Sequence, residues 1–251
     1  MQVKTVAIVT GASRGLGHAL AMGLIQDGNH VIAIARNQNG ELASRATETG
    51  ASLQQLQANL SDSADVTQAA QALAGMIPQG AQRYLLINNA GTVDPVNQAD
   101  DLLDPLTIAA AFTLNVTSIM VLTAAVLRAT PANADRRILN ISSGAGRSPT
   151  AGWGVYCATK AALDMYTQVF AAEKHGARVV SLAPGVVDTQ MQEHIRGSQA
   201  GDFPAVERFV QLHEQGQLAS PAIVANKILR YIDRDDFGAT VLDDIRTCST
   251  N

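Results

Sequence analysis

Short apolar runs and helical segments alternate along almost the whole chain, and this alternation limits the possible folds more than any other feature. Seven apolar runs are predicted strands, covering residues 3–10, 30–35, 52–60, 84–88, 137–142, 178–183 and 239–243. Seven segments are predicted helices, covering residues 15–27, 41–49, 62–76, 105–128, 156–175, 204–214 and 221–232. Such alternation predicts an α/β fold with a doubly wound, seven-stranded parallel sheet and helices on both faces.

The 251 residues contain no linker and no internal repeat, so we expect one domain over residues 1–251. A net charge of -4 gives no basic footprint for nucleic-acid binding. Two cysteines are too few for a disulfide scaffold, so we expect a cytoplasmic protein. We recognise no signal peptide and no run of about 18 apolar residues, and therefore expect no membrane span. The irregular residues 185–202 predict a lid or binding loop, within a substrate-binding region of about 185–216.

A glycine-rich turn follows the first predicted strand. It has the spacing Gly-x-x-x-Gly-x-Gly over residues 11–17, which lets the backbone turn tightly and approach a ligand closely. The start of the next helix then offers free N–H groups to a pyrophosphate, although such a turn can also serve packing alone. The turn and the alternating pattern together predict a single-domain Rossmann fold. Its predicted phosphate-binding residues are Gly11, Ser13, Arg14, Gly15, Leu16 and Gly17.

The end of the second strand indicates which dinucleotide binds. NAD sites usually have an acidic residue there, but this strand ends in Ala35, Arg36 and Asn37. Arg36 can bind a 2′-phosphate through charge-assisted hydrogen bonds, and Arg14 can add a second positive charge. The other possibility is that both arginines are solvated surface groups. We predict NADP(H) as the cofactor.

Tyr156 and Lys160 lie four residues apart at the start of a predicted helix, so they share one helix face. A free phenol has a pKa near 10, and a nearby ammonium is expected to lower it. By itself the spacing Tyr-x-x-x-Lys is often coincidental. Ser143, at the end of the fifth strand, could hold a carbonyl oxygen beside the phenol. Asn115, in the middle of a long helix, has either a functional role or that of a satisfied core amide.

Together these residues resemble the short-chain dehydrogenase/reductase family across nearly the whole chain. The matching pieces are Thr10-Gly-x-x-x-Gly-x-Gly17, Asn88-Asn-Ala-Gly91, Asn115, Ser143, Tyr156-x-x-x-Lys160 and Pro184-Gly185. The resemblance implies that Tyr156 is the catalytic acid, that Ser143 orients the carbonyl and that Lys160 binds the nicotinamide ribose. It also implies that Asn115 supports a water chain for proton supply. Further cofactor-binding residues that it implies are Asn37, Asn59, Leu60, Asn89, Ala90, Gly91, Tyr156, Pro184, Gly185, Val187, Thr189 and Met191.

Segments 140–146, 152–160 and 183–191 look like those of sepiapterin reductases, and still more like those of bacterial benzil reductases that form (S)-benzoin. This likeness implies a substrate pocket lined by Ser143, Trp153, Tyr156, Cys157 and Met191. Two features depart from the family's patterns. Asn59 stands where many members have Asp, and the carboxylate that holds pterins matches Asp243 or Asp244 only loosely.

We therefore expect an NADPH-dependent carbonyl reductase without a metal ion, acting on an aromatic 1,2-diketone or a pterin side-chain ketone. The alternatives are a general ketone or 3-oxoacyl reductase and, from another class, a non-catalytic sensor that binds NADP. Its expected partners are a small carbonyl substrate and further copies of the chain, but neither nucleic acid nor a membrane. The resemblance implies a homodimer or homotetramer, built from the helices predicted at residues 105–128 and 156–175.

Overall fold

One seven-stranded parallel sheet forms the centre of the molecule in the computed structural model, which describes residues 3–248. The strands lie in the order β3-β2-β1-β4-β5-β6-β7. Their bounds are β1 Thr5–Thr10, β2 Asn29–Ala35, β3 Ser52–Gln57, β4 Arg83–Asn88, β5 Asp135–Ile141, β6 Ala177–Ala183 and β7 Leu242–Asp244. The predicted doubly wound, seven-stranded fold is confirmed.

Helices cover both faces of this sheet. They are α1 Gly15–Leu24, α2 Gly40–Thr49, α3 Ser63–Met76, α4 Pro105–Phe112, α5 Ser118–Ala129, α6 Gly154–Glu173, α7 Gln190–Arg196, α8 Val206–Glu214 and α9 Pro221–Asp233. Helices α1 and α9 pack together on one face, and α3 and α5 pack together on the other. Strands β1, β2, β4, β5 and β6 are therefore covered on two sides, which explains their continuous apolar runs in the sequence.

The central strand β1 shows how this core forms. Ala7 and Val9 pack into the cluster with α1 and α9, whereas Val6 and Ile8 pack into the cluster with α3 and α5. All four side chains are fully buried. Alternate residues of a strand point to opposite faces, so β1 anchors both helical layers.

Several predicted elements differ from the structure. The helix predicted at 105–128 is divided by a π-helical turn, Thr113–Thr117, which separates α4 from α5. The stretch 185–202, predicted to be irregular, contains helix α7. The last strand spans Leu242–Asp244 instead of residues 239–243, because only these residues pair with β6.

One segment is long and apolar enough to cross a membrane by length and composition alone, although polar residues such as Asn115 interrupt it, so it is no continuous run of about 18 apolar residues. Pro105–Ala129 meets both criteria, with a mean hydropathy of 1.9 over its most apolar 18 residues. In the fold this segment forms α4, the π turn and α5, and Leu122 and Val126 are buried in the core beside the sheet. Packing between the layers thus accounts for much of its apolar character.

The strand order reverses between β1 and β4, because β1 leads outward to β2 and β3 while β4 leads to β5, β6 and β7. In open α/β sheets, ligands bind beyond the carboxyl ends of the strands at such a reversal. A cavity of about 960 Å³ lies at this edge of the sheet. The fold therefore brings the chain segments after β1, β2, β4, β5 and β6 together around one space.

Candidate active site

The glycine turn after β1 forms one end of the cavity. Gly11 and Gly15 have φ angles of +68° and +57°, in the left-handed region that favours glycine. A Cβ atom at Gly17 would lie 2.3 Å from Nδ2 of Asn89 and 2.3 Å from the carbonyl oxygen of Gly11. The turn can be this tight only without side chains at these positions.

The N-terminus of α1 faces the same space and suits an anion. Its N-cap residue, Arg14, makes no capping hydrogen bond through its side chain, and the first turn contains no acidic residue. The first N–H groups of a helix carry partial positive charge and need acceptors. A pyrophosphate would supply them, so this cradle fits the dinucleotide that the sequence predicts.

Two arginines line the cavity near this turn. Arg36 lies directly after β2 and is exposed, and Arg14 donates a hydrogen bond to Oε1 of Gln190 on α7. No carboxylate occupies the end of β2 to repel a 2′-phosphate. Asn37, predicted to bind the cofactor, is exposed and does not line the cavity, because the chain has already turned away toward α2.

The segment after β4 is fixed to the glycine turn by backbone and side-chain hydrogen bonds. Oγ1 of Thr10 accepts from the N–H groups of Asn89 at 2.9 Å and Ala90 at 3.0 Å. Nδ2 of Asn89 donates to the carbonyl oxygen of Thr10 at 3.0 Å. The amides after β4 thus support the loop that surrounds the cofactor end.

Asn59, after β3, also lines the cavity, at the position where many family members have Asp. Its Oδ1 accepts hydrogen bonds from the hydroxyl of Ser61 at 2.7 Å and from the Ser61 N–H at 3.3 Å. The amide oxygen is therefore occupied within its own turn.

Nearly all predicted cofactor residues line this one cavity. They are Gly11, Ser13, Arg14, Gly15, Leu16, Gly17, Arg36, Asn59, Leu60, Asn89, Ala90, Gly91, Tyr156, Lys160, Pro184, Gly185, Val187, Thr189 and Met191. The glycine turn and the Tyr-Lys pair are more than 130 positions apart in sequence, yet they face the same space.

The predicted catalytic side chains meet where β5 ends beside α6. Ser143, Tyr156 and Lys160 all line the cavity, and the Tyr156 and Lys160 side chains are buried, with 7% and 4% exposed. Nζ of Lys160 lies 5.8 Å from the centre of the Tyr156 ring and donates to the carbonyl oxygen of Ile141 at 2.8 Å. The helix therefore places the phenol and the ammonium on one face, as their spacing predicts.

Burial dominates the acid–base properties of this pair. It raises the pKa of the Tyr156 phenol above its ordinary value, and a hydrogen bond with Ser143 only partly opposes the shift. Burial also lowers the pKa of Lys160 to about 8, against the opposing charge of Asp164. The expected fall in the pKa of Tyr156 is therefore not met, because desolvation of the phenol outweighs the hydrogen bond that favours its charged form.

Asn115 lies in the π turn and is fully buried, but it does not line the cavity. Its Oδ1 accepts from the N–H of Thr92 at 2.9 Å. Its Nδ2 donates to the carbonyl oxygen of Thr92 at 2.9 Å and to Oγ1 of Thr159 at 3.0 Å. The side chain thus ties α6 to the loop after β4, which matches the satisfied core amide.

An aromatic wall lies beside Tyr156, on the side of the cavity away from the glycine turn. Trp153 stacks on Phe203 with ring centres 4.8 Å apart, and it contacts Phe209 at 5.4 Å and Tyr156 at 5.3 Å. Trp153, Phe209 and Met191 line the cavity, whereas Phe203 is buried behind them. This wall suits a flat, apolar substrate.

Cys157, predicted to line the substrate pocket, does not reach the cavity. It follows Tyr156 directly on α6, so its side chain points about 100° away around the helix. Its Sγ lies 3.9 Å from the carbonyl oxygen of Ser148.

Several charged residues that line the cavity could not be identified from sequence patterns. His194 on α7 makes a 2.7 Å contact with Asp94 after β4, and Arg208 and Arg246 also line the cavity. The carboxylates of Asp243 and Asp244 do not line it. Asp243 accepts from the hydroxyl of Tyr231 at 2.8 Å, and Asp244 binds Arg246 through both oxygens.

Sequence reasoning also missed apolar lining residues, namely Val93, Ile195 and Phe209. Phe209 and Ile195 are the buried apolar residues of two short amphipathic helices, α8 and α7. Their helical spacing was the available signal, but it identifies only a buried face and does not indicate what that face packs against.

A family model described as short chain dehydrogenase matches residues 5–200 of this chain. The chain belongs to the short-chain dehydrogenase/reductase family. Members of this family are oxidoreductases that use NAD(P).

Two named relatives in the family are similar over most of the chain. Benzil reductase ((S)-benzoin forming) of Bacillus cereus is 36% identical over 236 residues, covering 92% of this chain and 94% of the relative. Sepiapterin reductase of Bos taurus is 37% identical over 246 residues, covering 93% and 91%. A solved short-chain dehydrogenase from Sphingobium yanoikuyae in complex with NADPH has a TM-score of 0.74 at 25% identity, covering 96% of this chain and 87% of that chain.

Proposed function

We propose that this protein is an NADPH-dependent carbonyl reductase with Tyr156 as its proton donor. One observation supports this most: a single cavity joins the glycine turn at the N-terminus of α1 to Ser143, Tyr156 and Lys160. A dinucleotide whose pyrophosphate lies at the turn would then extend along the carboxyl edge of the sheet toward the phenol. The reductase function of the relatives agrees with this arrangement.

The proposed reaction requires a hydride and a proton. A reduced nicotinamide dinucleotide held at the glycine turn would supply the hydride for the carbonyl carbon. Tyr156 gives its phenolic proton to the carbonyl oxygen as negative charge develops there, and Ser143 holds that oxygen by a hydrogen bond. A phenol whose pKa is raised stays protonated at neutral pH and so remains available as the acid. The Lys160 ammonium stabilises the phenolate left behind.

The preference for NADPH rests on Arg36, which lines the cavity where NAD-binding members usually have a carboxylate. Arg36→Asp should raise the KM for NADPH by roughly 10- to 100-fold, because charge-assisted hydrogen bonds contribute about 1.5–3 kcal/mol. The KM for NADH should change little. Arg45→Asp, on α2 outside the cavity, makes the same charge change as a control. Equal effects on both cofactors would reject the NADPH preference.

The aromatic wall favours an aromatic 1,2-diketone of the benzil type. A pterin side-chain ketone has less support, because the carboxylates of Asp243 and Asp244 are bonded to Tyr231 and Arg246 and do not line the cavity. Initial rates with NADPH on benzil, sepiapterin and a 3-oxoacyl thioester, with chiral analysis of the products, separate the candidates. Turnover of the thioester alone would indicate the general 3-oxoacyl reductase, and inactivity on all three would reject the proposal.

We further propose that the chain forms a homodimer or homotetramer through α4, α5 and α6. Large apolar side chains on these helices are exposed, including Phe112, Met120, Met165 and Val169. A second copy would cover them by packing the same helices against each other, as symmetric interfaces do. Light scattering should give two or four times the chain mass, and Met165→Glu with Val169→Glu should reduce it. A monomeric wild-type protein would refute this assembly.

A further inference from the structure

Asp164 is a buried carboxylate just behind the catalytic residues. It lies on α6 with 4% of its surface exposed and does not line the cavity. Its Oδ1 accepts hydrogen bonds from the hydroxyls of Ser142 at 2.7 Å and Ser181 at 2.6 Å. Its Oδ2 accepts from Nε of Arg147 at 2.8 Å. Three donors, two from the segment after β5 and one from β6, therefore converge on one charged group.

These donors lie on the segments that carry the active site. Ser142 stands between Ile141, whose carbonyl oxygen accepts from Lys160, and the catalytic residue Ser143. Arg147 also donates to the carbonyl oxygens of Ser181 at 3.2 Å and Asp243 at 3.1 Å. Asp164 thus joins α6 to the carboxyl ends of β5 and β6 and, through Arg147, to β7.

The carboxylate also acts on the catalytic lysine through its charge. Asp164 follows Lys160 by one helical turn, and its negative charge opposes the fall in the pKa of Lys160 that burial causes. Other titratable groups nearby are Tyr156, on the same helix, and Arg147, which faces Asp164 from the segment after β5. A buried charge held by three hydrogen bonds has a fixed position, so its effect on Lys160 does not vary with side-chain motion.

We propose that Asp164 is a positioning residue of this active site: it fixes the segment that carries Ser143 and keeps the Lys160 ammonium charged beside Tyr156. This inference rests on the proposed function, since it assigns Asp164 a part in the same proton transfer. A purely structural anchor would make the same hydrogen bonds but would leave the pH dependence of the reaction unchanged.

Asp164→Asn separates these roles, because it keeps the shape of the side chain and removes its charge. We expect kcat/KM for ketone reduction to fall about 10- to 100-fold, and the basic limb of its pH profile to move down by about one unit. The sign follows because an ammonium without its counter-charge loses its proton at a lower pH. NADPH affinity, measured by cofactor fluorescence, should stay within about two-fold.

Three variants serve as controls. Ser181→Ala removes one hydrogen bond to Asp164, and Arg147→Gln removes its ion-pair partner, but both keep the carboxylate. Neither should move the basic limb to lower pH. Should Asp164→Asn fail to fold, the double variant Asp164→Asn/Arg147→Gln exchanges the ion pair for two neutral amides, and the same shift to lower pH is expected. Asp164→Glu keeps the negative charge, so the basic limb should lie at its wild-type pH even where kcat stays low.

The outcomes distinguish this inference from the proposed function. An active wild-type enzyme, with unmoved basic limbs in every Asp164 variant, would overturn the role of Asp164 alone. The same would follow if Asp164→Asn and Arg147→Gln lost equal activity without a change in pH dependence. A wild-type protein that binds NADPH but reduces no ketone would overturn both proposals.

Discussion

The two sides of the active site are built differently. We call Ser143, Tyr156 and Lys160 the catalytic floor, and residues 185–216, which include α7 and α8, the cover. The floor lies at the end of β5 and on the 20-residue helix α6, and its Tyr156 and Lys160 side chains are buried. The cover consists of two helices of seven and nine residues, and most of its residues are partly or fully exposed.

Contacts between exposed side chains add to the buried packing of Ile195, Phe203 and Phe209 in supporting the cover. Gln190 accepts from Arg14, and His194 contacts Asp94 at 2.7 Å. Nε2 of Gln98 donates to the carbonyl oxygen of Gly201 at 2.6 Å. The floor depends instead on the sheet and on buried hydrogen bonds such as that from Lys160 to Ile141. The comparison suggests that the chemistry is held rigidly, whereas substrate selection depends on a part that can adjust at small cost.

The largest effect should follow from a change in the floor. Tyr156→Phe removes only the phenolic oxygen, so kcat should fall about 10²- to 10⁴-fold, as expected for loss of a general acid. NADPH binding should remain, because the ring still packs against Trp153. Stopped-flow or steady-state absorbance at the NADPH band measures the rate, and fluorescence titration measures binding.

Tyr166→Phe is the matched control, since Tyr166 lies on the same helix but outside the cavity. It should retain kcat within about two-fold. Full turnover by Tyr156→Phe would show that the floor does not supply the proton. The assignment of the chemistry to the floor would then be wrong.

An intermediate effect should follow from removal of the aromatic contact that the cover makes. Phe209→Ala takes away a ring that is 7% exposed and packs against Trp153 and Phe203. Since burying such a side chain contributes about 1.5–3 kcal/mol, the KM for benzil should rise roughly 10-fold or more while kcat stays nearly constant. Val210→Ala, next along α8 and outside the cavity, is the control. A fall in kcat, without a rise in KM, would mean that Phe209 acts on the chemical step together with the catalytic floor.

The same contrast explains what the sequence could predict. The strands and the floor follow from local rules: apolar runs give buried strands, and residues four apart share a helix face. Tyr156, Lys160 and the glycine turn were therefore located correctly in the cavity. Helix α7 of the cover was not predicted, because it has only seven residues and becomes helical where Ile195 and Gln192 are buried against the rest of the molecule. Tertiary packing, not local propensity, stabilises such a helix.

The effects of burial on pKa values also could not be predicted from the sequence. The spacing of Tyr156 and Lys160 indicates their closeness, but the direction of the tyrosine pKa depends on how much solvent the fold removes. Similarly, Arg246 lines the cavity because β7 pairs with β6, a contact that joins residues about 60 positions apart. Cys157 was misplaced because a resemblance assigned it to the pocket, although helix geometry turns it away from Tyr156.

The smallest effect should follow from release of the cover at its contact with the loop after β4. His194→Ala breaks the contact with Asp94, and both side chains are about half exposed. Exposed pairs contribute about 0.2–1 kcal/mol, so the KM for the ketone should rise by no more than about five-fold, with kcat unchanged. Hydrogen exchange should increase in α7 and stay constant in α6.

A measurement at high salt and a variant at the neighbouring residue are the controls for His194→Ala. At 1 M salt the Debye length is about 3 Å, so the wild type and His194→Ala should converge in KM if the contact acts mainly through charge. Glu193→Ala, next along α7 and exposed, should leave KM unchanged. A fall in kcat of ten-fold or more in His194→Ala would mean that α7 positions the reacting groups. The cover would then be part of the catalytic machinery, and the division between a rigid floor and an adjustable cover would be wrong.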